Sequence, residues 1–315
     1  MEPDTTYPDS ARTGVPGTGV PPQEREGYRP PDTGLPVVSL NAYTFLTIQP
    51  MPQPLAPCPT ALVTGASSGL GLEFARLLAR DGNNVIVTAR TQPALEALAH
   101  ELSTRHHVTV TPIVADLTEQ DAPRQLYETI QASGQRVDIL INNAGFGLAG
   151  RFDRNPLQRE LDMIQVNIGA LTTLTKLFLP DMLARKQGRI MNVASTAAFQ
   201  PGPYMAVYYA TKAYVLSFTE AIANELGDSG VTFTALCPGP TRTAFAHTAH
   251  INKPWGFLSA RLSQSAEEVA QFGYDAMQRG TLVAIPGVIN RLGVFGTRFS
   301  RRIATQVSRR LQHAD

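Results

Sequence analysis

Short apolar runs rich in branched residues alternate with longer stretches of helical periodicity from Thr60 onward. Runs of the first kind are typical of strands buried on both faces, and stretches of the second kind are typical of helices. The runs predict strands at residues 61–63, 85–88, 108–114, 137–142, 189–194, 231–237 and 282–286. The stretches predict helices at residues 70–81, 93–104, within 121–133 and at 156–186. A further helix is predicted to carry Tyr208 and to end at about residue 226. This alternation predicts an α/β fold with a doubly wound parallel sheet in a single domain, which binds ligands beyond the carboxyl ends of its strands.

The first 57 residues differ in composition from the rest of the chain. They hold twelve of the 24 prolines and show no sustained periodicity. We therefore predict a disordered or polyproline-like tail at residues 1–57, a folded domain at 58–290 and a separate segment at 291–315. Residues 37–48 are the apolar exception in the tail. Two interpretations are open for them: an arm that docks on the core or on a partner, or part of a poorly ordered extension.

Charge and cysteine content narrow the class of protein. The net charge is +1 and the pI is about 7.8, which gives no reason to expect nucleic acid. The two cysteines, Cys58 and Cys237, cannot build a disulfide framework and lack the spacing of metal ligands. No apolar run reaches the roughly 18 residues needed to span a bilayer, and the N-terminus lacks the features of a signal peptide. We expect a cytoplasmic protein without a metal site.

A glycine-rich turn follows the first predicted strand and leads into a helix. Its spacing, G-x-x-x-G-x-G, is a variant of the dinucleotide fingerprint, because glycines let the backbone turn tightly and approach a pyrophosphate at the N-terminus of a helix. The residues expected to contact a dinucleotide here are Gly65, Ser67, Ser68, Gly69, Leu70 and Gly71.

The tip of the second predicted strand is where such folds select the ribose. An acidic side chain at this position binds the 2′-hydroxyl of NAD. This chain has Ala89 and Arg90 there and no carboxylate. A guanidinium matches a 2′-phosphate, so the sequence predicts NADP(H), with a solvated surface arginine as the alternative.

Two further strand ends carry polar residues that face the same crevice. Asp116 can accept a hydrogen bond from an adenine amino group or simply cap the following turn. Asn143 can bridge adjacent strands through its amide, and Ala144 and Gly145 after it leave room for close approach of a cofactor.

A tyrosine and a lysine four residues apart form the candidate catalytic pair. On a helix Tyr208 and Lys212 share one face, and an ammonium that close is expected to lower the pKa of the phenol. Such a phenol can exchange a proton with an alcohol or carbonyl oxygen near neutral pH. Ser195 ends the fifth predicted strand and can bind the same oxygen, and Asn167 offers an amide that can hold a water chain to Lys212.

Together these residues resemble the single-domain branch of the short-chain dehydrogenase/reductase family. The resemblance covers roughly residues 58–290 and includes the Tyr-x-x-x-Lys pair. It implies a Rossmann-like domain in which Tyr208 is the general acid/base, Ser195 orients the substrate oxygen, Lys212 binds the nicotinamide ribose, and Asn167 completes a proton relay. It also implies a loop that holds the nicotinamide end, formed by Pro238, Gly239, Thr241 and Thr243. The tail and the region after Val288 lie outside the resemblance.

The substrate side is expected to be apolar, suited to a steroid-, retinoid- or acyl-like carbonyl or alcohol. The candidate lining residues are Phe146, Phe199, Pro201, Tyr204, Phe245, Trp255 and Phe257. Each of these can equally be a core residue. The expected reaction is therefore NADP(H)-dependent interconversion of an alcohol and a ketone or aldehyde. The competing hypothesis is a catalytically silent NADP-binding regulator or membrane-associated scaffold.

The C-terminal segment combines an apolar stripe with positive charge. Six arginines follow Val288 and the only acid there is Asp315. The apolar residues at helical spacing are Leu292, Phe295, Phe299, Ile303, Val307 and Leu311. Such a helix can lie on a membrane surface, or it can pack on its own core or on a second subunit of a homo-oligomer.

Overall fold

Parallel strands form the central sheet of this computed structural model, which describes residues 52–55, 58–243, 245, 249, 263–299 and 305. The strands are β1 Thr60–Thr64, β2 Asn84–Ala89, β3 Val110–Val114, β4 Ile139–Asn142, β5 Gly188–Val193, β6 Val231–Leu236, β7 Thr241–Arg242, β8 Gln264–Ser265 and β9 Val283–Ala284. Seven of them make one sheet in the order β3-β2-β1-β4-β5-β6-β9, and β7 pairs with β8 separately. Every residue of β4 and β6 is buried, as expected for apolar strands covered on both faces. The predicted doubly wound fold is confirmed.

Helices cover both faces of the sheet. They are α1 Gly69–Arg80, α2 Gln92–His106, α3 Ala122–Ala132, α4 Leu157–Ile164, α5 Leu171–Arg185, α6 Ala206–Glu225, α7 Ala266–Gln278 and α8 Val288–Phe299. One apolar core includes Phe74 and Leu78 of α1, which lie four residues apart and are fully buried. The other includes Phe178 of α5 and Phe233 of β6. The sheet therefore lies between two separate hydrophobic layers.

The strand order reverses beside β1. β2 and β3 extend the sheet on one side of β1, while β4, β5 and β6 extend it on the other. Connections that leave β1 and β4 therefore diverge to opposite faces and leave a crevice at their carboxyl ends, which is where doubly wound folds bind ligands. The residues at these ends are Thr64 and Asn142.

The long helix predicted at 156–186 is not continuous. It is divided into α4 and α5 by a π-helical turn at Gln165–Ala170. A π turn accommodates an extra residue in the helical ladder and often occurs at functional sites. Here it contains Asn167, and apolar periodicity alone could not reveal it because both flanking helices keep the same buried face.

Helix α7 was not predicted, although its start has a sequence signature. Ser265 Oγ accepts a hydrogen bond from the Glu268 backbone N–H at 3.1 Å, and Glu268 Oε2 accepts one from the Ser265 N–H at 2.9 Å. This reciprocal capping box satisfies two of the free donors at the helix N-terminus. The S-x-x-E spacing could have located the helix.

Residues 52–55, which we placed in the proline-rich tail, contact the folded domain. The Pro54 carbonyl accepts a hydrogen bond from Gln187 Nε2, and Leu55 packs against the core that contains Phe74. The Pro52 ring lies 3.0 Å from the position that a Cβ on Gly280 would occupy. The predicted apolar stretch at 37–48 lies outside the described residues.

The helix predicted after residue 291 begins earlier, at Val288, and is anchored on the domain. Val294 is buried in the core with Phe233, and Arg291 Nε donates to the Ile285 carbonyl at 2.9 Å. Its other face leaves Val288, Ile289 and Leu292 exposed. Within the described ranges, no helix has the length and apolar character that crossing a bilayer requires.

Candidate active site

A cavity of about 650 Å³ lies at the carboxyl edge of the sheet and brings most of the predicted residues together. The predicted cofactor and catalytic residues that line it are Gly65, Ser67, Ser68, Gly69, Leu70, Arg90, Asp116, Asn143, Ala144, Gly145, Ser195, Tyr208, Lys212, Pro238, Gly239, Thr241 and Thr243. Tyr208 and Lys212 lie on α6, and the others follow the carboxyl ends of strands that are far apart in sequence. In the part of the chain that the structure describes, no three His, Cys, Asp or Glu side chains are grouped as a metal site would require.

The glycine-rich turn forms one end of the cavity. Gly65 has a φ of +67°, a left-handed conformation that favours glycine. Gly71, which we predicted to contact the cofactor, does not line the cavity. A Cβ on it would lie 2.3 Å from the Gly65 carbonyl oxygen, so Gly71 instead lets α1 pack closely against the turn. Because the first turn of α1 has no acidic side chain and the helix N-terminus is positively polarised, this end fits a phosphate group.

Asn143 ties the turn to the neighbouring strand, as predicted. Its Nδ2 donates to the Thr64 carbonyl at 2.9 Å and to the Gly65 carbonyl at 3.3 Å. The Thr64 hydroxyl accepts from the backbone N–H groups of Asn143 at 3.0 Å and of Ala144 at 2.9 Å. Thr64 was not predicted as a site residue. Its side chain fixes the two loops that flank the crevice, so the turn is rigid before any ligand binds.

The expected adenosine end of the cavity contains Arg90 and Asp116. Arg90 is exposed and lines the cavity beyond β2, with no carboxylate beside it at Ala89. Asp116 Oδ1 accepts from the Thr118 N–H at 3.0 Å and from the Thr118 hydroxyl at 2.8 Å. Of the two interpretations for Asp116, the structure therefore shows the turn cap. Asp116 is also one of the residues that line the cavity.

Tyr208 and Ser195 meet at the other end of the cavity. Tyr208 is buried, and burial raises the pKa of its phenol, while a hydrogen bond with Ser195 acts in the opposite direction. We expected a lowered pKa for this phenol because Lys212 is close, but burial outweighs the stabilising neighbours and the pKa is raised instead. Desolvation disfavours the phenolate more strongly than the neighbouring groups stabilise it. Tyr208 is therefore held as a protonated phenol, able to donate a proton.

Lys212 lies one turn after Tyr208 on α6 and is almost fully buried. Its Nζ donates to the Val193 carbonyl at 2.8 Å and lies 5.9 Å from the centre of the Tyr208 ring. Burial lowers the pKa of the ammonium to about 8. The charge is therefore present at neutral pH and is lost in mildly alkaline solution.

Asn167 lies beside the cavity rather than on its wall. Its Nδ2 donates to the Phe146 carbonyl at 3.0 Å and to the Thr211 hydroxyl at 3.0 Å, and its Oδ1 accepts from the Phe146 N–H at 3.1 Å. A Cβ on Gly145 would lie 2.9 Å from Asn167 Oδ1 and 3.5 Å from Lys212 Nζ. The approach of Asn167 to Gly145 is therefore too close for a side chain at that residue, whereas the Lys212 distance is an ordinary van der Waals contact.

The substrate end of the cavity is apolar, but only part of the predicted lining is present. Phe146 and Phe245 line it. Phe199 packs against the core that contains Phe178 instead, because the 3₁₀ turn at Thr196–Phe199 directs it away from the crevice. Pro201 and Tyr204 are not on the wall either. Trp255 and Phe257 lie outside the described residues.

Two unpredicted residues complete the apolar end. Met205 and Tyr209 line it, and both are nearly fully buried around Tyr208. The Tyr209 ring meets the Tyr208 ring edge-on, with centroids 6.0 Å apart. Met205 immediately precedes α6, so its position in the N-terminal flank of the Tyr208 helix was the available sequence signal.

Comparison with known proteins shows which family and which proteins this chain is similar to. The family model for short chain dehydrogenase matches residues 59–253. Oxidoreductase UcpA of Escherichia coli (strain K12) is 38% identical over 191 residues, which are 60% of this chain and 72% of that protein. A short-chain dehydrogenase from Sphingobium yanoikuyae in complex with NADPH is 31% identical with a TM-score of 0.68, covering 76% of this chain and 94% of that one. The bulky-bulky ketone specific alcohol dehydrogenase from Comamonas testosteroni is 30% identical with a TM-score of 0.66, covering 78% and 93%.

Proposed function

The chain belongs to the short-chain dehydrogenase/reductase family, and from this premise we propose that it is an NADP(H)-dependent oxidoreductase acting on CH–OH groups. It interconverts an alcohol and a ketone or aldehyde on an apolar substrate. The observation that carries the proposal is the meeting of Ser195, Tyr208 and Lys212 at one end of a cavity whose other end is the glycine-rich turn. A dinucleotide held by that turn reaches the three side chains along the cavity.

Tyr208 is the general acid in reduction. When bound, the cofactor supplies a hydride to the carbonyl carbon. The Ser195 hydroxyl orients the carbonyl oxygen, and the Tyr208 hydroxyl gives that oxygen its proton and becomes a phenolate. The charged Lys212 stabilises the phenolate, and the proton is replaced from the Asn167 side of the site. In oxidation each proton moves the other way.

Burial keeps the Tyr208 phenol protonated at neutral pH, so the proton that reduction needs is present, but burial also makes the phenolate left behind costly. Lys212 is mostly charged at pH 7 and lies on the same face of α6, so it offsets the cost of the phenolate that reduction leaves.

Arg90 supports NADP(H) over NAD(H). It lines the cavity beyond the second strand, it is exposed, and neither Ala89 nor Thr91 beside it offers a carboxylate for a ribose 2′-hydroxyl. The Sphingobium relative, whose structure contains NADPH, points in the same direction.

The apolar wall supports a bulky carbonyl substrate. Phe146, Met205, Tyr209 and Phe245 surround the Tyr208 end, and the only described cation close to that end on the wall is Lys212, with Arg242 nearer the loop after β6. The Comamonas relative is a bulky-bulky ketone specific alcohol dehydrogenase. A steroid-, retinoid- or acyl-like carbonyl compound fits such a wall.

Reduction of a panel of ketones and aldehydes with NADPH tests the function, using Tyr208→Phe and Tyr209→Phe as a matched pair. Loss of the Tyr208 hydroxyl should lower kcat by about 10² to 10⁴-fold, because general acid catalysis is removed, while NADPH binding is retained. Tyr209→Phe should cost far less. Near-normal turnover by Tyr208→Phe would contradict the assignment of Tyr208 as the general acid. NADPH binding without turnover of any compound by the wild type would favour the alternative, a catalytically silent regulator or scaffold.

Two exposed apolar faces support proposals about partners. On α4, Leu157, Leu161 and Ile164 lie at i, i+4 and i+7 and are exposed, which suits a second copy of the chain in a homo-oligomer. On α8, Val288 and Leu292 are exposed one turn apart, and arginines follow. This face suits peripheral contact with an anionic membrane. The protein is otherwise proposed to reside in the cytoplasm.

A further inference from the structure

Gly147 lies where three loops converge on Tyr208. A Cβ built on Gly147 would be 2.8 Å from Phe245 Cζ, 3.1 Å from Met205 Cε and 3.4 Å from Tyr208 Cδ2. These side chains come from the loop after β7, the residue before α6 and α6 itself. The space that any other residue would fill at position 147 is therefore already occupied by the ends of the side chains around the candidate catalytic tyrosine.

Phe245 is the member of this group that covers Tyr208. Its ring is tilted by 50° against the tyrosine ring, with the centroids 5.3 Å apart. Its backbone is tied to the loop after β4, because the Phe245 carbonyl accepts from the Ala249 N–H at 2.8 Å and the Ala249 carbonyl accepts from the Ala149 N–H at 2.9 Å. Ala149, two residues after Gly147, is thus linked through Ala249 to the backbone of Phe245.

We propose that Gly147 and Phe245 act together as the size selector of the substrate pocket. The missing side chain at 147 lets the Phe245 ring lie against Tyr208, and that ring limits the substituent on one side of the carbonyl that Tyr208 protonates. The inference rests on the proposed function and deepens it. It assigns to this pair the choice between ketones with one bulky substituent and ketones with two.

The first test changes the width of the pocket. Phe245→Ala removes the ring, so kcat/KM for a ketone with two bulky aryl or alicyclic substituents should rise by about tenfold or more relative to kcat/KM for a methyl ketone. Phe146→Ala, which widens the same cavity but leaves the Phe245 ring in place, is the matched control and should shift this ratio less. An unchanged ratio in Phe245→Ala overturns the size selection, whereas failure of the wild type with every carbonyl compound counts against the proposed function itself.

The second test measures the contact without any turnover. Gly147→Ala should lower the thermal midpoint, because its Cβ displaces Phe245 Cζ and Met205 Cε. In Gly147→Ala/Phe245→Ala the clash with the ring is gone, so the double variant should lose less than the sum of the two single losses. Gly293→Ala is the control for adding a methyl group, since nothing lies within 4 Å of its Cβ position, and it should not lower the midpoint. Additive losses in the double variant would show that Gly147 and Phe245 are independent and would overturn the proposal.

Discussion

At the scale of single residues, burial sets the direction in which the pKa values of Tyr208 and Lys212 shift. Spacing in the sequence places Tyr208 and Lys212 on one face of a helix, and the structure agrees. The direction of the tyrosine pKa could not be derived from spacing, because it depends on how completely α6 is covered by Phe245, Met205 and the β4 loop. Desolvation raises the pKa of the phenol and lowers that of the ammonium, so both groups are pushed towards their neutral forms.

The pKa of Lys212 predicts a pH dependence for cofactor binding to the free protein. The ammonium is charged below pH 8 and neutral above it, so the affinity for NADPH should be highest near pH 7 and fall by about tenfold as the charge is lost above pH 8. Fluorescence titration with NADPH between about pH 7 and pH 9.5 measures this. Lys212→Met should bind more weakly at pH 7 and lack the alkaline decline. The same decline in that variant would assign it to another group.

Arg90 is expected to set the preference between the two cofactors. Arg90→Ala removes charge-assisted bonds to the 2′-phosphate that are worth about 1.5 to 3 kcal/mol, so the NADPH dissociation constant should rise roughly 10- to 150-fold while that of NADH changes little. Arg124→Ala is the matched control, since Arg124 is exposed on α3 and does not line the cavity. Equal changes for both cofactors, or none, would contradict the NADP assignment.

At the scale of elements, periodic apolar patterns in the sequence predict regular strands and helices, but they do not reveal short local turns. The strands of the main sheet and most helices were predicted because apolar runs alternate regularly, whereas the two-residue strands β7 and β8 were not. The glycine turn was predicted because it lies between a strand and a helix. The π turn around Asn167 was missed because its flanking helices keep one buried face. Phe199 was misassigned to the cavity because it lies in a 3₁₀ turn that has no periodic signal, and it packs against the core that contains Phe178.

The element formed by residues 52–55 should contribute to stability although it is only four residues long. A chain that begins at Pro52 should keep the thermal midpoint of the full protein, because the contacts of Pro54 and Leu55 remain. A chain that begins at Ala56 loses them, and partial burial of Leu55 is worth about 1 kcal/mol, so its midpoint should fall by roughly 2 to 4 °C. Differential scanning calorimetry of the two chains decides. Equal midpoints would place all stabilising contacts downstream of Leu55.

At the scale of the whole molecule, the exposed apolar faces of α4 and α8 are proposed to meet different partners. α8 begins beside the crevice, where Asn290 Oδ1 lies 2.4 Å from the position of a Cβ on Gly239, so a membrane under α8 would be near the cavity. Arg291 is bound to the domain through the Ile285 carbonyl. The sequence has five arginines beyond it, and each basic residue near an anionic surface is worth about 1 kcal/mol.

Charge substitutions on the two faces should separate lipid binding from self-association. Leu292 and Leu161 are 65% and 46% exposed, so glutamate at either position should be tolerated by the fold. Leu292→Glu should reduce flotation with vesicles rich in phosphatidylserine and leave the oligomer unchanged, whereas Leu161→Glu should shift the oligomer towards monomer and leave flotation unchanged. Flotation of the wild type should weaken at about 1 M salt, where the Debye length falls to about 3 Å. If Leu292→Glu changes the oligomer and no variant floats, α8 is a subunit interface and the membrane proposal is wrong.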